Sequence, residues 1–370
     1  VNEAPLPVLH LTGEPYAIGH GHGRGAKDLV ERNLLLYTRR YRDEVGLGQG
    51  EVLRRAEVWL DQVKALDPAY AAMIRGVADG SGFPLLSIAA LNARYELFYG
   101  AFASTGLATA CTAFALLPER AEGGRLLLGE NWDWFPEVAG LWLRVEWDDL
   151  TVLAFTEAGI PGGKIGLNSA GIGLVVNGLL SHLDRWDGDG VPFHVRTWRA
   201  LCSATLGDAL AAVERGGSPS SANFLVGDAA SGRAVSLERA PSGTARVDPT
   251  AGILVHANHF LAGERLGVRE PLAEERRSTH LRHERLAELL TQAGEQGPLS
   301  LRTVQDALRD HRGRPDSVCR HESPLFPRDL NYRTCLSVVM DLPARRAHHA
   351  AGPPCQHPYH ALALEPDGSL

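Results

Sequence analysis

The chain has 370 residues, 44% of them hydrophobic and 22% charged, with Lys+Arg 37 against Asp+Glu 44 and a formal net charge of −7. This is the balance of a globular protein with a sizeable core, and it argues against disorder and against a nucleic-acid surface. No run of 18 apolar residues occurs, which excludes an ordinary membrane-spanning helix.

Such a length allows two domains or one large sandwich. Helical spacing dominates the first hundred residues. Pro15 stands where a first helical position would be, with Glu14 beside it. Apolar Leu29, Val30, Leu34, Leu35 and Tyr37 recur at helical intervals over 27–41, and Val52, Leu53, Ala56, Trp59, Leu60 and Val63 do so over 52–66. Further helical stretches cover 70–77 and, past a Gly-Ser-Gly-Phe-Pro break at 80–84, 85–99. Near residue 105 the texture changes. Short apolar or alternating runs at 125–129, 141–147, 152–156, 171–176, 223–226, 234–239 and 253–257 are separated by Gly, Pro, Asp and Ser clusters, as antiparallel strands require. Helical patterns interrupt them at 193–214, 278–296 and 299–309, and strands return at 335–341 and 359–365. Helices in runs and strands in runs, without βαβ alternation, predict an α+β fold.

Two weaker signals point elsewhere. The glycines of 19–25 loosely fit a dinucleotide fingerprint, but no strand leads into them, and close helix packing is the better reading. Cys319, His321, Cys335, His348, His349, Cys355, His357 and His360 gather near the end without C-x2-4-C or H-x3-5-H spacing, so no metal and no cofactor is expected. Five cysteines, an odd and sparse count, read as reduced thiols. No G-x-S-x-G elbow is present. No basic-then-apolar leader opens the sequence and its end is not a Ser-Lys-Leu address, so a cytoplasmic location is expected.

The stretch richest in chemistry is 108–118 with 127–135, where Cys111 meets the first strand between Ala110 and Thr112. Taken alone, Cys111 reads as a small buried hydrophobe. Its surroundings resemble, however, the acyl-coenzyme A:6-aminopenicillanic-acid acyltransferase family of N-terminal-nucleophile (Ntn) hydrolases, relatives of the bile-salt and penicillin V hydrolases. The likeness runs through Gly13-Glu-Pro-Tyr-Ala-Ile-Gly19, Ile74-Arg-Gly-Val-Ala78, Leu91-Asn-Ala-Arg-Tyr-Glu96, Ala110-Cys111-Thr112 with Gly129-Glu-Asn-Trp-Asp133, Thr156-Glu-Ala-Gly159, Asn168-Ser-Ala-Gly171, Val255-His-Ala-Asn-His259 and Ser317-Val-Cys-Arg320, in that order.

The resemblance implies a four-layer αββα sandwich made as an inactive precursor that cuts itself at Ala110–Cys111. Residues 1–110 would form a helix-rich segment and 111–370 a sheet-rich catalytic one, the two pieces staying together as one folded unit, with a homo-oligomer left open. Cys111 would be the nucleophile and Asn177 and Asn258 the oxyanion donors. Asp133 would face the new amino group, with Arg320 close to the nucleophile. Ala110 stands where familiar relatives have glycine. His256 and His259 would be structural, since the freed α-amine, with a reference pKa of about 8, is itself the base. Trp132, Trp134 and Phe135, with Trp142 nearby, are candidates for an apolar acyl pocket. The expected reaction is hydrolysis or transfer of the acyl group of a small amide through a Cys111 thioester. A catalytically silent Ntn-fold binding protein is the alternative, and a zinc-stabilised C-terminal module a further one.

Overall fold

A computed structural model describes residues 5–105, 110–271, 277–324 and 331–365. The chain opens with a short strand, β1 (Val8–Leu11), and six helices follow: α1 (Pro15–Gly25), α2 (Lys27–Val45), α3 (Gln49–Leu66), α4 (Pro68–Ser81), α5 (Leu85–Asn92) and α6 (Arg94–Thr105). Local chemistry sets their limits. The Asp67 side chain caps α4 by accepting from the Tyr70 N–H at 2.9 Å, Pro68 takes the first position, and Gly82 ends the helix in the left-handed region. The glycines of 19–25 lie inside α1, where they let two helices touch. A Cβ at Gly19 would sit 2.0 Å from the Met73 carbonyl oxygen, and one at Gly80 of α4 would sit 2.2 Å from that of His20. The glycines therefore serve packing, not phosphate binding.

The rest of the chain builds two sheets. Its strands are β2 (Ala110–Leu116), β3 (Leu127–Trp134), β4 (Gly140–Trp147), β5 (Leu150–Glu157), β6 (Ile165–Asn168), β7 (Ile172–Gly178), β8 (Ala222–Asp228), β9 (Arg233–Ala240), β10 (Gly243–Val247), β11 (Ile253–His256), β12 (Arg333–Asp341), β13 (Arg346–Ala350) and β14 (His360–Ala363). Helices α7 (Phe193–Leu201), α8 (Leu206–Glu214), α9 (Gly263–Leu266), α10 (Arg277–Gly294) and α11 (Leu301–Leu308) intervene. One sheet has the order β1-β4-β5-β6-β7-β8-β9-β10 and the other β11-β2-β3-β12-β13-β14. Among the described strands, only β1, paired with β4, runs parallel to its neighbour. This strand was not anticipated: four residues before Pro15 are too short to show a period.

The alternation of β2 shows how the layers form. Cys111, Ala113 and Ala115 join the main core between the sheets, while Phe114 and Leu116 join a second core with Leu286, Leu290 and Val304 of α10 and α11. Helices α1, α7 and α8 lie against the first sheet. The result is the expected helix–sheet–sheet–helix sandwich. None of the described helices is long and apolar enough to cross a membrane.

Candidate active site

Strands β2 and β3 pair antiparallel, with Cys111 opposite Trp132 and Ala113 opposite Glu130. Because side chains alternate, Cys111, Trp132 and Glu130 share the face turned toward the first sheet. Cys111 is buried, and its main-chain N–H donates to Asn258 Oδ1 at 2.6 Å. Its carbonyl accepts from Nη1 of Arg282 on α10, which also donates to Thr112 Oγ1 at 2.8 Å, while Nη2 donates to Asn258 Oδ1 at 3.0 Å. Burial pushes the thiol well above its ordinary pKa, and the Glu130 and Asp133 carboxylates push it further. The Asp133 main-chain N–H and Arg282 oppose them.

Two carboxyls beside the thiol are poorly satisfied. Glu130 Oε2 accepts the Val176 N–H at 3.0 Å, while Oε1 is buried without a hydrogen bond. Burial raises this group to about 8. Asp133 Oδ1 accepts from Thr334 Oγ1 at 2.7 Å, and Oδ2 has no partner. Burial raises it to about 7 against the pull of Arg282, Thr334 and Arg320.

A cleft of about 350 Å³ opens over Cys111, Trp132, Trp134, Val176 and Gly178, with Arg94, Tyr95 and Phe193 from helices facing them. Lys164 also lines it, its Nζ 3.5 Å from the centre of a Trp132 ring and 2.5 Å from Glu157 Oε1. Glu157 is bound as well by Arg94 and by the Tyr37 hydroxyl, which accepts from Trp134 Nε1 at 2.7 Å. Despite burial, these cations hold Glu157 down at about 2, whereas burial lowers Lys164 to about 8. Another cleft, of about 420 Å³, lies among Leu34, Tyr41 and Val52, and Cys111 does not line it.

Asn177, at the end of β7, accepts from Asn223 Nδ2 at 3.0 Å through Oδ1, and its own Nδ2 is buried with no partner. Asn258 was expected as a second oxyanion donor. Its Nδ2 is engaged by the Gly178 carbonyl at 3.0 Å, and its carbonyl oxygen faces the Cys111 amide. Arg320 donates to Ser278 Oγ at 3.3 Å and lies 3.5 Å from Asp316 Oδ1, and its charge reaches Asp133. The cation bonded directly to the Cys111 backbone is instead Arg282. Trp132 and Trp134 line the cleft. Phe135 does not, because the strand has ended and its ring packs on Trp134 and Tyr332 under Arg40. Trp142 is a core residue between Phe155 and His349. His256 is held by Glu238 at 2.8 Å and His259 by Thr279 at 2.9 Å, away from the cleft lining. The side chain of Ala110 lies outside the described residues.

Sequence reasoning missed Arg94, Glu130, Glu157, Lys164 and Arg282. A usable signal existed for Lys164, one of three lysines in the chain and set in a Gly-rich turn, and for Glu130, inside the string that carries the resemblance.

The model of a family described as acyl-coenzyme A:6-aminopenicillanic acid acyl-transferase matches residues 120–351. The acyl-coenzyme A:6-aminopenicillanic-acid-acyltransferase 40 kDa form of Emericella nidulans is 30% identical over 356 residues, covering 94% of this chain and 93% of the relative. Among solved structures, a mutant conjugated bile acid hydrolase from Clostridium perfringens aligns at a TM-score of 0.48 and 12% identity, over 68% of this chain and 92% of the other. An N-acylethanolamine-hydrolyzing acid amidase ortholog from Caenorhabditis elegans aligns at 0.44 and 14%, over 63% and 93%.

Proposed function

The chain belongs to the acyl-coenzyme A:6-aminopenicillanic-acid acyltransferase family of Ntn acyltransferases and amidohydrolases, and we propose that Cys111, freed as an N-terminus by self-cleavage, is its nucleophile. The observation that carries this reading is the setting of Cys111. A buried thiol opens on an aromatic cleft, its own amide is anchored by Asn258, and two labile carboxyls stand beside it.

In the uncut chain the thiol is neutral. Attack of Sγ on the Ala110 carbonyl carbon breaks the Ala110–Cys111 C–N bond, and the thiol proton ends on the departing nitrogen. Glu130, held at about 8 beside the thiol, can relay that proton near neutral pH. Water then hydrolyses the thioester, leaving an Ala110 carboxylate and a Cys111 with both thiol and α-amine. The amine, with a pKa of about 8, next takes the thiol proton and the thiolate attacks the substrate. Asp133 orients the ammonium, and Arg320 and Arg282 moderate the charge of that carboxylate. The unpartnered Asn177 Nδ2 is the donor suited to a developing oxyanion. Cleavage also releases Asn258 Oδ1 from a peptide N–H and turns it toward an amine. The aromatic walls and the cations Lys164 and Arg94 suit a small N-acyl compound with an apolar acyl part. Hydrolysis is preferred to transfer, since transfer requires exclusion of water.

Denaturing intact mass tests this directly. By chain proportion, the 39.9 kDa chain should yield pieces of roughly 12 and 28 kDa, with Cys111 first in the larger. Cys111→Ala should remain whole and lose turnover. A wild-type chain that stays at 39.9 kDa on long incubation would end the Ntn reading of Cys111.

A further inference from the structure

Spacing alone gave no metal motif among the C-terminal cysteines and histidines, because metal motifs are recognised by ligands close together in sequence. Here the ligands meet only in the fold. His311 follows the end of α11, Cys319 and His321 flank Arg320 on the next segment, and Cys355 lies on the loop between β13 and β14. One ligand atom from each of the four lies within 4.8 Å of all the others.

We propose that His311, Cys319, His321 and Cys355 form a tetrahedral zinc site. Four of the six separations are close to those that an ion would impose, and the two from His311 to the sulfurs are within 4.8 Å. His311 Nε2 and His321 Nε2 are 3.2 Å apart, and the two sulfurs are 3.7 Å apart. His321 Nε2 is 3.5 Å from Cys319 Sγ and 3.2 Å from Cys355 Sγ. With Zn–S bonds of about 2.3 Å and Zn–N bonds of about 2.05 Å, a tetrahedron has edges of roughly 3.8 Å between sulfurs, 3.6 Å between sulfur and nitrogen and 3.3 Å between nitrogens. A disulfide would instead need the sulfurs at about 2.05 Å. Two thiolates with two imidazoles in this shape select zinc among the common divalent ions. Binding releases one proton from each thiol, so the dication and two thiolates make a neutral centre.

Four protein ligands leave no open position, so the ion would be structural, not catalytic. Its work is visible in what the ligands are attached to. The Cys319 N–H donates to the Asp310 carbonyl at 2.9 Å, and Arg309 Nε donates to the Pro354 carbonyl at 2.9 Å, so the segments already lean together. The ion would clip them. Arg320, between two ligands, donates its N–H to Thr334 Oγ1 at 3.0 Å, and that hydroxyl donates to Asp133. The clip thereby fixes one edge of the candidate active site.

The test uses the full chain, purified under reducing conditions without metal-affinity resin, and reads metal, not turnover, so its failure is separate from failure of the Cys111 reading. Elemental analysis should find about one zinc per chain after zinc incubation and desalting. Titrating the metal-free protein with cobalt(II) should produce thiolate-to-cobalt absorption and the intense visible bands of a tetrahedral ion. Cys355→Ser, at the exposed ligand, should lose both bands while its far-ultraviolet circular dichroism stays native. Zinc below about 0.1 equivalent in the incubated wild type would overturn the proposal. So would cobalt bands unchanged in Cys355→Ser, or a Cys319–Cys355 peptide pair recovered two hydrogens light from the reduced preparation.

Discussion

Glu157 and Glu130 are both wholly buried beside the cleft, yet they ionise in opposite directions. Burial penalises each carboxylate. What differs is the company. Glu157 receives Arg94, Lys164 and the Tyr37 hydroxyl and is held at about 2. Glu130 has one main-chain N–H, an oxygen without a bond and a thiol for a neighbour, and is raised to about 8. One carboxyl is thus a fixed anion that ties helix α6 to the strands. The other can gain and lose a proton near neutrality. Depth alone does not make a buried acid reactive; the number of cations that accompany it decides.

The sharpest way to break this contrast is to remove the anchor. Glu157→Ala would leave Arg94 and Lys164 buried without their carboxylate, and a pair broken on one side should cost about 3–5 kcal/mol. Urea unfolding in a Cys111→Ala background, which keeps the chain whole, reads the loss. A change below about 1 kcal/mol would mean that solvent reaches the pair and that it anchors nothing.

The next effect belongs to the cleft. Asn177→Ala removes the one expected amide donor whose Nδ2 is buried and unpartnered, so turnover should fall about 100-fold, as for a lost oxyanion donor. Self-cleavage and turnover should be measured separately on the same preparation. If turnover moved less than about threefold, Asn177 would be only a rung of the Asn177–Asn223–Ser236 ladder that crosses the sheet.

What could be read in the sequence follows the same division between local and assembled features. Cys111, Trp132, Trp134 and Asp133 lie in two strings that pair as adjacent strands, so contiguity in sequence became contiguity in space. The glycines of α1 were legible as packing because a missing Cβ has an immediate steric meaning. Arg94 and Arg282 lie far along the chain from each other and from Glu157 and Lys164, and none of the four has a local pattern that reveals its partners. The same holds for His311, Cys319, His321 and Cys355, where counting spacings discounted ligands that only folding collects. Phe135 failed in the opposite way. It adjoins Trp134 in sequence, but the strand ends between them and the ring turns to Tyr332.

The finest test of the contrast is the pH dependence of Glu130, with an expected size of at most about 1.4 kcal/mol per pH unit. Its folded pKa, about 8, lies above the ordinary 4.5. Between these values the unfolded chain releases a proton that the folded chain retains, so the folded state binds more protons. Its contribution to stability is therefore fully present below about 4.5, declines as pH rises, and is exhausted above about 8. Glu130→Gln keeps an oxygen for the Val176 N–H and removes the titration. Relative to the whole-chain Cys111→Ala parent, it should match in stability near pH 4.5 and become progressively more stable toward pH 8. In otherwise wild-type protein it should also slow self-cleavage, since the relay beside the thiol is gone. A stability difference independent of pH would show that the carboxyl is already hydrated and titrates in its ordinary range. The proton from Cys111 would then have to pass to Asp133 or to water, and the contrast between the two glutamates would reduce to geometry alone.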